Sequence, residues 1–294
     1  MFKLVVNVGI IGYRNHAQRL ISLVETNSEC KLKHIFHPNK KIDDFRGTNN
    51  FSDLLECDVI IISSPNLTHY EYLKKLKSFT GYIFCEKPPA VSLEDLNELK
   101  IIDDARKRKT FFNFNYRFSS LVKFAKHYIE TKELGKLLNI NCVSTHGLAF
   151  KESFQDNWRF KSDNLFSSII GNLGIHYIDL VGYLCGNITD INIKTGSIVS
   201  DKLPDTATLD IVNDLCDVKV FLSYAAPFRN QVTMLFDNGI LELVDGNVTL
   251  QTPRDTVDKK GMFKPPDYIY LEVFNNSKEY YDDSLKSSIE MALP

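Results

Sequence analysis

A lysine delivered by the end of an apolar run is the first residue in this chain with chemistry to offer. Tyr82-Ile83-Phe84-Cys85 reads as a strand and runs into Glu86-Lys87-Pro88, where proline removes an N–H, fixes φ and ends the strand. Ligands of open α/β sheets bind beyond the carboxyl ends of the strands, so Lys87 is placed to meet a bound cofactor. A solvated turn that holds a lysine is the other reading. The second feature is a glycine turn. Val8-Gly9-Ile10-Ile11-Gly12 leads through Tyr13-Arg14-Asn15 into His16-Ala17, the strand–turn–helix context that a dinucleotide fingerprint requires. Gly12 takes the tight turn, and Ala17 stands at the third glycine position, where alanine is accepted. Arg14 replaces the glycine that lets backbone approach pyrophosphate, so it either supplies charge directly or blocks the usual approach. Gly12, Tyr13, Arg14 and Asn15 are thus the expected phosphate-binding segment, at a helix N-terminus with N–H groups to spare.

An acid that binds the ribose 2′-hydroxyl is expected about 20 residues beyond the glycines. This chain instead has Ile35-Phe36-His37-Pro38-Asn39-Lys40-Lys41. Without a carboxylate there, and with His37 and Lys40 nearby, a 2′-phosphate is accommodated, which predicts NADP(H) over NAD(H). A solvated basic loop is the alternative.

The elements that must position these residues follow from the hydrophobic pattern. Strand-like runs Leu4–Ile11, Leu32–Phe36, Val59–Ser63, Tyr82–Cys85 and Phe111–Phe114 alternate with helical patterns Ala17–Glu25, His69–Phe79 and Leu93–Arg106. That alternation implies βαβ units, hence a Rossmann doubly wound parallel sheet over residues 1–117. Beyond Phe118 the texture changes. Helices Leu121–Glu133 and Ile175–Leu184 are set among strands Leu138–Thr145, Asp190–Ile198, Thr206–Asn213, Val218–Ala225, Val232–Phe236, Ile240–Val244 and Val248–Gln251. Asp237-Asn238-Gly239 and Asp245-Gly246-Asn247 are turn chemistry between antiparallel neighbours. Residues 118–294 therefore read as an α+β domain with a mostly antiparallel open sheet. The basic run Arg106-Lys107-Arg108-Lys109 is expected to face water.

With 294 residues, 44% of them hydrophobic, the chain has ample material for buried cores. A net charge of −2 with interspersed signs leaves no footprint for nucleic acid, and no apolar stretch reaches membrane-spanning length. The expected setting is cytoplasmic. Six cysteines are scattered singly, without metal-site spacing, and read as reduced core residues; no metal is expected.

Taken in order, the segments resemble the Gfo/Idh/MocA family of NAD(P)-dependent sugar oxidoreductases over nearly the whole chain. Beyond the glycine turn and Cys85-Glu86-Lys87-Pro88, the resemblance is carried by Ser63-Ser64-Pro65-Asn66-Leu67-Thr68-His69, by Asn115-Tyr116-Arg117-Phe118, by Asn157-Trp158-Arg159 and by Asn172-Leu173-Gly174-Ile175-His176-Tyr177-Ile178-Asp179. It implies hydride exchange between a nicotinamide cofactor and a hydroxyl or keto carbon of a sugar. The hydroxyl proton then needs a base, and His176 suits that role because imidazole titrates near neutrality. By the same resemblance Lys87 orients the hydroxyl and stabilises charge developing on its oxygen, with Glu86 holding the lysine. Ser63, Pro65, Asn66, His69 and Glu86 are implied on the cofactor side, although Asn66 and His69 could instead cap the following helix. Arg117, Trp158, Arg159 and Asn172 are implied on the substrate side. His176 could also be a histidine satisfied on a helix face, and Asp179 either its partner, a cap or a salt bridge. Pairing through the open sheet face is common in the family and implies a homodimer or homotetramer.

Two departures bear on the reaction. Asn172 stands where most members carry a carboxylate, which weakens a proton relay and resembles the branch acting on UDP-linked N-acetylhexosaminuronic acids. Phe166-Ser167-Ser168 replaces a glycine run. Both, with Arg14, leave a second reading open: a catalytically inactive cofactor-binding regulator or scaffold of the same fold.

Overall fold

A computed structural model describes residues 5–152, 168–199, 203–254 and 256–293. The chain divides into two compact units, one of residues 1–114 together with 286–294, the other of residues 115–285.

The first unit is a six-stranded, wholly parallel sheet. Its strands are β1 (Val6–Ile11), β2 (Cys30–Phe36), β3 (Gly47–Thr48), β4 (Val59–Ile62), β5 (Tyr82–Glu86) and β6 (Thr110–Asn113), in the order β3-β2-β1-β4-β5-β6. Strands buried on both faces need continuous apolar runs, and Val59–Ile62 is fully buried. Helices α1 (Asn15–Thr26), α2 (His69–Lys75), α3 (Leu93–Lys100) and α4 (Asp104–Arg108) make the crossovers. The strand order reverses between β1 and β4, so the crevice beyond their carboxyl ends is where such a sheet receives a ligand.

Two sequence expectations fail here for local reasons. The helix read over Leu93–Arg106 is broken, because the Asp103 side chain accepts the N–H of Ala105 at 2.8 Å and so starts a new helix, α4. The basic run does not all face water. Arg106 is buried and donates to the carbonyls of Gly81 at 2.7 Å, Lys109 at 2.8 Å and Phe79, tying together the segments that lead into β5 and β6.

The second unit is an eight-stranded sheet. Its strands are β7 (Leu137–Thr145), β8 (Ile188–Gly196), β9 (Thr206–Asn213), β10 (Asp217–Ser223), β11 (Arg229–Phe236), β12 (Gly239–Val244), β13 (Asn247–Gln251) and β14 (Tyr268–Glu272), ordered β14-β13-β12-β11-β7-β10-β9-β8. Only β7 and β10 pair in parallel. Alternation puts Ile140, Cys142, Leu209, Ile211, Val220 and Met234 on a buried face, where they pack with Leu121, Val122 and Ala125 of α5 (Ser120–Thr131) and Tyr177, Leu180 and Val181 of α6 (Ile175–Cys185). The β12–β13 turn holds Asp245 at φ 49° and Gly246 at φ 106°, the left-handed pair that a two-residue hairpin demands. The last helix, α7 (Ser277–Ala292), contributes its final residues to the first unit.

The cysteines are not uniformly core residues: Cys57, Cys85 and Cys142 are buried, but Cys30, Cys185 and Cys216 are half-buried. Among the described residues no helix is long and apolar enough to cross a membrane, and no group of three acidic, histidine or cysteine side chains could hold a metal.

Candidate active site

In the first unit the glycine turn and the loop after β4 meet tightly. Gly12 has φ +114°, and a Cβ there would lie 2.6 Å from the carbonyl oxygen of Ser63, so no other residue fits. Its N–H donates to Phe36 O at 3.0 Å, fixing the turn to the end of β2. Arg14 precedes α1 in extended backbone with no side-chain cap, which leaves the N–H groups of the first turn free for phosphate. Arg14 and Asn15 are exposed and Tyr13 is half-buried. At the end of β2, His37 Nδ1 accepts the backbone N–H groups of Lys40 at 3.0 Å and Asn39 at 3.3 Å, so the other ring nitrogen carries its proton. Burial, then the charges of Lys40 and Arg14, push His37 below its ordinary pKa, so these three groups share one electropositive corner.

The loop after β4 has polar capacity to spare. Asn66 is 6% exposed, yet neither its amide nitrogen nor its oxygen has a hydrogen-bond partner, and Ser63 Oγ, also buried, has none. An unsatisfied buried polar group costs about 1–3 kcal/mol, so three such atoms beside the strand-order reversal have hydrogen-bonding capacity that a ligand could use. These orphaned atoms, together with the cradle that excludes a Cβ at Gly12, fit a dinucleotide.

His69 takes a different place from Asn66. Its ring is 1% exposed, with Nδ1 2.8 Å from Pro88 O and Nε2 2.9 Å from Ser64 O. Burial lowers its pKa against the pull of both carbonyls. It ties the loop after β4 to the Glu86-Lys87-Pro88 segment.

Glu86 is the charged centre of the strand ends. Its Oε1 accepts from Asn113 Nδ2 at 2.6 Å and lies 2.7 Å from His16 Nε2, while Ser288 Oγ donates to Asn113 Oδ1 at 2.9 Å. Burial alone would raise this carboxyl, but His16, Asn113 and Lys87 together hold it below the ordinary range. Lys87 is half-exposed, joined to Pro88 by a cis peptide. Sequence reasoning missed His16 and Asn113. Asn113 had one signal, since it is the register partner of Glu86 at the same strand edge.

In the second unit, residues Ile170–Gly174 form a π-turn that leads into α6, a wide winding found often at functional sites. His176 is buried and stacks on Tyr116, ring centroids 4.5 Å apart and 19° from parallel. Burial pushes the Tyr116 hydroxyl up to about 12, which keeps that ring neutral. Asn172 donates its side-chain N–H to Ser168 O at 3.2 Å, so it also serves the π-turn. Asp179 binds Arg117 in bidentate fashion, with Nε at 2.8 Å, and the guanidinium also lies 5.1 Å from the Tyr183 ring centre. Burial raises Asp179, and Arg117 offsets that only in part; Arg117, more exposed, is held more firmly charged. Trp158, Arg159, Phe166 and Ser167 lie outside the described residues.

Residues 6–114 match the model of the oxidoreductase family with the NAD-binding Rossmann fold, and residues 122–251 match the C-terminal domain of the same family. This chain belongs to the Gfo/Idh/MocA oxidoreductases. It is 29% identical over 186 residues to glucose-6-phosphate 3-dehydrogenase of Bacillus subtilis, covering 60% of this chain and 53% of that protein. It is 30% identical over 153 residues to levoglucosan dehydrogenase of Pseudarthrobacter phenanthrenivorans, covering 51% of this chain and 37% of that protein. The chain thus spans about half or less of these curated relatives. Among solved structures, levoglucosan dehydrogenase in complex with NADH and levoglucosan superposes with a TM-score of 0.75 at 19% identity, covering 98% of this chain and 88% of the other. A myo-inositol dehydrogenase from Corynebacterium glutamicum gives 0.76 at 15% identity, with 98% and 87% covered.

Proposed function

We propose that this chain is a dehydrogenase that exchanges hydride between a nicotinamide dinucleotide and a secondary hydroxyl or keto carbon of a sugar, sugar phosphate or nucleotide sugar. The observation that carries this reading is the orphaned amide of Asn66 beside a Gly12 turn that admits no side chain. The cofactor supplies the hydride acceptor or donor when bound. Gly12, Tyr13, Arg14 and Asn15 hold its pyrophosphate, and Ser63, Pro65 and Asn66 its nicotinamide end. His37, Lys40 and Arg14 form a corner with no carboxylate, which supports NADP(H) over NAD(H).

Lys87, carried out of β5 beside Glu86, orients the substrate hydroxyl and offsets negative charge on its oxygen. His176 takes the hydroxyl proton in oxidation and returns it in reduction. Arg117 and Asn172 line the substrate side, Arg117 held in place by Asp179, and Trp158 and Arg159 belong to the same set. The relatives' names, glucose-6-phosphate 3-dehydrogenase and levoglucosan dehydrogenase, support a sugar substrate; Asn172 supports the UDP-linked N-acetylhexosaminuronate branch. The assembly we propose is a cytoplasmic homodimer or homotetramer that pairs through the open face of the β7–β14 sheet.

The test is a panel of sugars, sugar phosphates and UDP-sugars read by the absorbance of reduced nicotinamide, with NADP and NAD compared. Lys87→Met and His176→Ala are each expected to abolish turnover while cofactor affinity changes little. Full activity in either variant sinks the assignment, and a clear preference for NAD sinks the 2′-phosphate reading.

A further inference from the structure

Away from every residue assigned above, two thiols lie together in the second unit. Cys185 is the last residue of α6, and Cys216 stands in the turn between β9 and β10, 31 positions further on; their sulfur atoms are 3.9 Å apart. The turn is rigid. Asn213 Oδ1 accepts the N–H groups of Leu215 at 2.9 Å and Cys216 at 3.1 Å, and Asn213 Nδ2 donates to Cys216 O at 2.9 Å. A disulfide needs the sulfurs at about 2.05 Å, a closure of roughly 2 Å that side-chain rotation from contact can supply. Both thiols are half-buried, within reach of a small oxidant, whereas Cys57, Cys85 and Cys142 are enclosed and pushed upward by burial, which makes them poor thiolates.

We propose that Cys185 and Cys216 form a reversible oxidation site that closes to an intramolecular disulfide on exposure to a hydroperoxide and reopens with a dithiol. Cys216 is the first nucleophile. Hydrogen bonding from the Cys185 thiol lowers its pKa, against burial and the charge of Asp217. Its thiolate attacks one peroxide oxygen, the O–O bond breaks, and the departing hydroxide takes up the proton that Cys216 released, giving water and a sulfenic acid. Cys185 sulfur then attacks the Cys216 sulfur, its proton leaves with the hydroxyl as a second water, and the S–S bond forms. Two electrons pass from the thiol pair to the peroxide. The bond fastens the end of the helix that carries His176 and Asp179 to the β9–β10 turn.

The experiment uses the full-length, fully reduced protein treated with one equivalent of hydrogen peroxide and quenched with an alkylating agent. Six free thiols should fall to four, a non-reducing peptide map should join the Cys185 and Cys216 peptides, and dithiothreitol should restore all six. Cys185→Ser should give no cross-link and leave Cys216 as a sulfenic acid trappable by dimedone; Cys216→Ser should show neither. An unchanged thiol count, a cross-link between two chains, or over-oxidation of Cys216 without the joined peptide overturns the proposal. The map of the unsubstituted protein decides the matter even where a serine variant fails to fold.

Discussion

The two sheets collect their candidate site residues by different physics. In the parallel sheet every strand leaves at the same edge, so Gly12, His37, Ser63, Glu86 and Asn113 arrive together from distant points in the sequence. In the antiparallel sheet successive strands leave at opposite edges, and the candidate base sits instead on α6, which is laid against the buried sheet face. The first unit keeps polar atoms unspent on Asn66 and Ser63. Near His176 the charges are spent on one another, Arg117 on Asp179. The contrast lies in the charged groups of the second unit, which pair within it, and the amide of Asn66, which does not.

The largest test of this contrast is Gly12→Ala. A methyl group 2.6 Å from Ser63 O, on a backbone at φ +114°, should lower dinucleotide affinity by roughly 100-fold or more, since strain of this kind costs about 1–3 kcal/mol before any lost phosphate contact; titration of cofactor fluorescence measures it. His69→Leu should come next. It removes the tie between Ser64 O and Pro88 O and should cost about 1–3 kcal/mol in denaturant unfolding, with cofactor affinity falling as well. Retention of both would show that the two loops hold themselves.

Asn66→Ala separates stability from binding. Deleting a side chain with no partner should leave the unliganded protein as stable or up to about 1 kcal/mol more so, while cofactor affinity drops roughly tenfold. A loss of stability without loss of affinity would make Asn66 an ordinary structural residue. The smallest effects are in pH dependence, where Glu86 and Asp179 should show opposite signs. Glu86 is held below its ordinary 4.5, so its contribution is present above that value and is lost as pH falls beneath it. Asp179 is held above its ordinary 3.8, so its ionisation weakens the fold as pH rises through the raised value. Thermal unfolding from acid to neutral pH should lose the first slope in Glu86→Gln and the second in Asp179→Asn.

What the sequence announces and what it conceals divide along range of interaction. Gly12, the apolar strand Val59–Ile62 and the turn Asp245-Gly246 declare themselves because backbone geometry restricts residue type within a few positions. The pairing of His16 with Glu86, 70 positions apart, and of Arg117 with Asp179, 62 apart, has no local signature. Spacing alone suggests Asp179 as a partner for His176, one helical turn away, but its carboxylate turns to the stronger bidentate donor. Arg106 looks solvated in a run of four basic residues, but it is buried where it donates to three loop carbonyls, an arrangement with no local signature.

Ser288, 175 positions beyond Asn113, hydrogen bonds to it, and Asn113 in turn holds Glu86. A ribosome therefore finishes all six strands of the parallel sheet well before it makes the hydroxyl that completes their innermost polar chain. The whole of the second unit is thus synthesised between the sixth strand of that sheet and the residue that joins its strand ends.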